Sequence, residues 1–396
     1  MDKQIYLLFS ADYELYFGEN YFGEREVLIE PTEQILGACQ KDGIPMTLFA
    51  DVASIWRYRS LGVNSDYVGL CEDQMGRAIR QGHDVQLHMH PHWMTSHFDG
   101  KRWSMDESKF NLSDLGYGQR KDQDLESGDE IIRRGKEYLE NLLLPSNPSY
   151  SCVAFRAGGY GVQPGDKELI RALLSEGFKI DSSIVPGMVF QSNVNRIDFR
   201  RIPSRLNYWM GSRYGISREE GQGLFEIPLA AYPESVCETF GHHLSFLRTK
   251  GIPLKRKALG SNAQNSPRGR GIQRVSPFGL MASRILGRSL FLLEFSGPKV
   301  DVRRLSKGTR KLINRHLEEA PLYLSPSCHP KNVFPSTIDA LREFWRDMRS
   351  FYGHRVKAIT FQEAARGLGP FNPVSVSESL EGVSNPEEQS PKRSMN

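Results

Sequence analysis

Short apolar runs alternate with amphipathic segments along most of this chain. IYLLFS (5–10) reads as a buried strand, and PTEQILGACQKDG (31–43) opens on a proline suited to a helix N-terminus and closes on glycine. The unit recurs. PMTLFADV (45–52) predicts a strand, YVGLCEDQMGRAIRQG (67–82) a helix with apolar residues at helical spacing, and DVQLH (84–88) a strand again. SGDEIIRRGKEYLENLLL (127–144) begins with a Ser-x-x-Glu capping pattern at Ser127 and Glu130, and CVAFR (152–156) follows as a strand. PGDKELIRALLSEG (164–177), FKIDSS (178–183) and GLFEIPLAA (222–230) continue the alternation. PLYLSPSCHP (321–330), PSTIDALREFWRDMRSFYG (335–353) and VKAIT (356–360) complete it.

Strands that are mostly trailed by helices imply a parallel sheet, because each parallel connection needs a crossover. Neither GxGxxG after the first strand nor GxxxxGK[ST] occurs, which favours a closed α/β barrel over an open nucleotide-binding sheet.

Composition changes this picture little. With 39% hydrophobic and 25% charged residues in 396, the chain reads as a globular protein able to bury a sizeable core. The apolar run near the start is too short for a signal peptide or a membrane span. Cys39, Cys71, Cys152, Cys237 and Cys328 are odd in number and lack CxxC spacing, so a disulfide framework is not expected and a reducing cytoplasm is the simplest compartment.

Charge is unevenly spread. The formal net charge is +4, yet from Arg248 to His316 there are 17 Lys or Arg against two acids, Glu294 and Asp301. Residues 248–316 therefore read as a basic insertion or flexible loop on a domain spanning 1–370, and 371–396 as a disordered polar tail. Without interleaved aromatics the basic segment does not predict nucleic-acid binding.

The candidate chemistry collects at strand ends, where parallel barrels place their active sites. Asp12 and Glu14 follow the first strand; His88, His90 and His92 end the third; Arg156 ends the fourth; Asp181 lies at the fifth; His329 is near the seventh. A carboxylate with two neutral imidazoles suits zinc or another divalent ion and leaves positions open for water and substrate.

The ordered segments FSADYE, HDVQLHMHPHW, FRAGGYG, DSSIVP and LSPSCHP resemble the five motifs of the polysaccharide deacetylase (NodB-homology) carbohydrate esterases. The resemblance implies a distorted seven-stranded (β/α) barrel and a single divalent metal, zinc or else cobalt, nickel or manganese. It implies removal of an N-acetyl group from an amino sugar of a bacterial surface polysaccharide or its precursor. By the same resemblance Asp12 is the base and Glu14 a metal ligand, with the reverse assignment open. His88 and His92, four residues apart, are the ligand histidines, with the shorter His88–His90 pairing as the competing reading. Arg156 orients the base, His329 is the general acid, and Asp181, Trp93 and Tyr160 line the substrate site. A lipid- or nucleotide-linked N-acetyl sugar is the expected intracellular substrate, with the basic segment meeting its phosphates. Two other readings stay open: a different metal-dependent C–N hydrolase on the same barrel, and a glycan-binding protein without catalysis.

Overall fold

The computed structural model describes residues 3–16, 23–118, 126–192, 194–234 and 290–368. The chain enters through β1 (Ile5–Leu7) and β2 (Ser10–Tyr13), then α1 (Glu30–Lys41), β3 (Thr47–Asp51), α2 (Val52–Leu61), α3 (Ser65–Arg80) and β4 (Asp84–Met89). After α4 (Gly128–Leu143) come β5 (Ala154–Ala157), α5 (Asp166–Ser175) and β6 (Ile180–Asp181). A hairpin of β7 (Val189–Gln191) and β8 (Arg196–Asp198) precedes β9 (Tyr208–Met210), β10 (Leu224–Glu226) and β11 (Ala231–Pro233). β12 (Leu290–Leu292), α6 (Val302–His316), β13 (Leu322–Leu324), β14 (Ser327–Cys328), α7 (Pro335–Tyr352), β15 (Val356–Ala358) and α8 (Phe361–Gly367) follow.

One sheet runs in the order β9-β10-β6-β5-β4-β3-β2-β14, parallel throughout except where β9 meets β10. A parallel bridge between Leu229, just beyond β10, and Ser325, just before β14, draws the two ends together, so the sheet curls into an α/β barrel. The first predicted strand is in fact two. Ile5–Leu7 pairs with β13 and β15, and Ser10–Tyr13 joins the main sheet.

Strands of the main sheet are buried along their length, as expected where both faces are covered. The outer face is packed by helices at the predicted positions. Phe344 and Trp345 of α7 meet Phe9 edge-on at 6.2 and 6.0 Å. At the start of α4 the Ser127 amide donates to Glu130 Oε2 at 2.8 Å, the capping pattern read from the sequence.

Three helices escape that reading, among them α8, which begins where the last predicted strand ends. α2 leaves β3 without a loop, so its first turn reads as more strand. α6 lies inside the segment assigned to a basic loop; Leu305, Leu312 and Ile313 are buried along one side while Arg303, Lys307, Lys311 and Arg315 are exposed on another. The rest of that segment, residues 248–289, and the tail 371–396 lie outside the described residues. Cys39, Cys71, Cys152 and Cys328 are free thiols, buried in the core. Among the described residues no helix is long and apolar enough to cross a membrane.

Glu226 of β10 stands opposite Asp181 of β6, and both are buried. Burial, then the neighbouring Asp181 charge, holds the Glu226 carboxyl well above the usual carboxylate range, and burial likewise raises Asp181. A raised folded-state pKa contributes stability at acid pH that is lost as pH climbs through the folded value, at about 1.4 kcal/mol per unit of displacement. Thermal unfolding of wild type and Glu226→Gln between pH 5 and 9 is therefore expected to favour the variant progressively as pH rises. Parallel melting curves across that range would contradict a shared proton on this pair.

Candidate metal and acid–base site

Alternation along an extended strand places residues i and i+2 on one side. At the end of β2, Asp12 and Glu14 thus both face the barrel interior. Tyr13, between them, points the other way and donates its hydroxyl to Gln74 Oε1 at 2.9 Å. The same rule governs β4. His88 and His90 share a face, and His88 Nε2 and His90 Nε2 approach each other to 3.1 Å.

Glu14 Oε2 closes this group, 3.2 Å from His88 Nε2 and 2.5 Å from His90 Nε2. Glu14, His88 and His90 offer three donor atoms within 4.8 Å of one another, and Asp12, Glu14 and His329 form a second such set. Donors about 2.1 Å from a tetrahedral zinc stand about 3.4 Å apart, so the first set fits one divalent ion with small outward shifts. The His88 ring is also oriented for that role. Its Nδ1 lies 2.9 Å from the Arg156 carbonyl oxygen, so Nδ1–H donates there and the Nε2 lone pair is left facing the other donors.

His92 is placed differently from the four-residue spacing. Pro91 opens a 3-10 turn, Pro91–Thr95, which carries His92 out of the strand's alternation. Its ring stacks on Phe110 at 5.4 Å and 9°, with its centroid 5.2 Å from that of His90. Burial, then the His90 charge, lowers its pKa to about 3. Of the two pairings left open by the sequence, the structure brings together His88 and His90.

Gly158 makes room for this arrangement. A Cβ built there would stand 2.3 Å from His90 Nδ1, so the first glycine of FRAGGYG accommodates a histidine rather than a substrate. Gly159 adopts a left-handed φ of 58°, which turns the chain over the Phe110 ring.

Arg156 is almost wholly buried and donates in five directions. It pairs with Asp12 Oδ1 and reaches Ser182 O and Ser182 Oγ at 3.0 Å, Ser10 Oγ at 3.0 Å and Ser325 Oγ at 3.2 Å, with its guanidinium 3.9 Å over Phe49. Burial alone would raise the Asp12 carboxyl, but the Arg156 charge, then the His329 hydrogen bond, hold it below the usual carboxylate range.

On the opposite side, His329 Nε2 lies 3.4 Å from Asp12 Oδ2 and 3.7 Å from Glu14 Oε1. Its Nδ1 faces Glu294 Oε1 at 3.0 Å. Burial would lower the His329 pKa; hydrogen bonds to Asp12 and Glu294 raise it to about 10. Lys331, buried beside it, donates to Glu14 Oε1 at 2.7 Å and to the Leu15 carbonyl at 3.0 Å. Burial would raise Glu14; Lys331 and then His90 hold it well below the carboxylate range.

Glu294, Lys331 and Asp51 carry no recognisable motif in the sequence. Glu294 lies in the segment read as an insertion, while Asp51 ends β3 and accepts the His90 amide at 3.2 Å. Two sequence assignments do not survive the geometry. Trp93 is fully buried between Tyr58 and Trp103, with centroids at 6.0 and 5.2 Å, so it cannot stack on a sugar. Asp181 accepts from Ser183 N and Ser183 Oγ, faces Glu226 within the sheet and is buried. Tyr160 does line an open cleft of about 620 Å³ that adjoins the site through His92.

No family model matches this chain, and no curated protein matches it. Among solved structures it is similar to a protein assigned as a polysaccharide deacetylase from Mycobacterium smegmatis, at 13% identity over 98% of this chain and 96% of that one, with a TM-score of 0.46. The Puue allantoinase is 13% identical over 92% and 90%, at 0.43, and a Bacillus cereus polysaccharide deacetylase is 10% identical over 91% and 93%, at 0.33.

Zinc titrations followed by elemental content should separate the histidines. His88→Ala and His90→Ala are expected to lower affinity at least tenfold, and His92→Ala to change it less than threefold; loss of binding in His92→Ala with retention in His90→Ala would restore the four-residue pairing. Lys331→Met leaves Glu14 a buried, less compensated anion. The metal-free variant should melt several degrees lower, and added zinc should raise its Tm more than that of wild type.

Proposed function

We propose that this protein is a metal-dependent amide hydrolase that removes the N-acetyl group from an amino sugar of a surface polysaccharide or its precursor. Glu14, His88 and His90 would hold the divalent ion, with zinc favoured by the mixed nitrogen and oxygen donors. One observation carries the reading: a donor set fit for a metal lies between a buried carboxylate and a histidine whose protonation is reinforced from behind. A bound divalent ion would supply a more acidic water and a polarised amide carbonyl.

The chain's own residues account for the proton movements. Asp12, ionised and fixed by Arg156, accepts a proton from the attacking water through Oδ2, while Arg156 occupies Oδ1. His329 Nε2 gives its proton to the departing amine nitrogen, and Glu294 at Nδ1 steadies the imidazolium. The products are acetate and a free amino sugar. Base and acid thus rest in opposite protonation states at neutral pH, as the reaction needs. The His329 side chain is 19% exposed, more than Asp12 at 11%, so a substrate nitrogen can reach it.

Asp12→Asn should lose at least a hundredfold in acetate release from an N-acetylglucosamine oligomer while binding zinc as wild type does. Full activity in that variant would remove Asp12 from the mechanism. Glu294→Gln withdraws support from the imidazolium, so His329 should lose its proton at lower pH. The alkaline limb of the kcat/KM profile is expected to move down toward the ordinary imidazole range, with the acid limb unchanged; an unmoved alkaline limb would count against His329 as the acid.

A further inference from the structure

We infer that the cleft beside the site receives an uncharged, apolar portion of the substrate rather than a phosphate-bearing carrier. The inference rests on the amide-hydrolase reading above and names the kind of substrate that reading leaves open.

At about 620 Å³ the cleft falls in the range of pockets that enclose a whole small ligand. Met105, Phe110, Tyr160, Met188, Phe190 and Val194 supply most of its wall. Among the described residues that line it none is Lys or Arg, and two, Asp106 and Glu107, are acids. A phosphodiester or nucleotide placed there would meet repulsion and find no cationic partner among those residues, whereas an alkyl, aryl or hydroxyl-poor group would replace water on apolar side chains.

The wall is held in place before any ligand arrives. Asn195, buried on the β7–β8 hairpin, donates through Nδ2 to the Gly159 carbonyl at 2.6 Å, tying the hairpin to the turn that carries Tyr160. Phe110 packs beneath Gly159 and stacks on His92. That stack links the cleft to the metal donors, since the His92 ring is 5.2 Å from that of His90. A group seated in the cleft thus lies beside the scissile amide.

The hairpin also leaves apolar surface uncovered. Phe190 lines the cleft yet is 44% exposed, so it presents apolar surface to a ligand at the mouth.

The test measures binding apart from turnover. Calorimetry on zinc-loaded Asp12→Asn with the methyl and hexyl glycosides of N-acetylglucosamine, and with N-acetylglucosamine 1-phosphate, should show the hexyl glycoside binding at least tenfold tighter than the methyl. The phosphate should bind no better than the methyl glycoside. Phe190→Ala and Met188→Ser should each erase most of the hexyl advantage without altering methyl glycoside binding. Equal affinities for hexyl and methyl, or tighter binding of the phosphate, would overturn the inference. Failure of the underlying reading looks different. If wild type binds the hexyl glycoside tightly yet releases no acetate from any probe, the cleft assignment stands and the deacetylase reading falls. If acetate is released with no gain from the hexyl group, the reverse holds. The ligand series uses the intact wall, so it stays decisive even where a cleft variant fails to fold.

Discussion

A single buried guanidinium ties this site together. Arg156 stands at the end of β5 with almost no exposure, and a charge in that position is tolerable only when every donor is used and a counter-charge is close. Asp12 supplies the charge. Ser10, Ser182 and Ser325 supply oxygen acceptors from three different strand ends. The Arg156 backbone carbonyl in turn fixes the tautomer of His88. One residue thereby sets the ionisation of the proposed base and the ring orientation of a proposed metal ligand, and it pins β5 to β2, to the end of β6 and to the start of β14.

Electrostatic balance explains the remaining groups. Asp12, Glu14, Asp51 and Glu294 crowd four carboxyls around one space, which could not stay ionised without compensation. Arg156 answers Asp12, Lys331 takes one oxygen of Glu14, and His329 bridges Asp12 to Glu294. With Lys331 on Oε1, Oε2 alone faces the two imidazoles, so Glu14 is prepared to give a single oxygen to a cation there. The neighbouring cleft is of another character, apolar with acids in its wall, and this contrast separates the proposed chemistry from the proposed substrate contacts.

The elements and the ends at which the polar residues gather were legible in the sequence, because both follow from local rules. Apolar period and capping residues placed the helices near 30–41, 65–80, 128–143 and 335–352. The capping pair Ser127 and Glu130 sits where its spacing put it, and Asp12, Glu14, Arg156 and His329 do converge. Even the unusual Asp-Tyr-Glu spacing is a local consequence, since period-two alternation sends both acids inward.

What the sequence could not decide was anything set by partners distant along the chain. Which of His88, His90 and His92 come together depended on where β4 stops, and that follows from Pro91 and from the packing of Phe110 and Trp93 outside the motif. Trp93 and Asp181 looked like substrate contacts because aromatics and carboxylates at barrel mouths commonly are; their burial against Tyr58, Trp103 and Glu226 appears only when the strands are laid side by side. Glu294 and Lys331 carried no motif of their own, and they gain meaning from lying 3.0 Å from His329 and 2.7 Å from Glu14. Local pattern determines which residues face inward, while only the closed fold determines which inward-facing groups touch, because those contacts join residues from different elements, as far as 317 positions apart for Lys331 and Glu14.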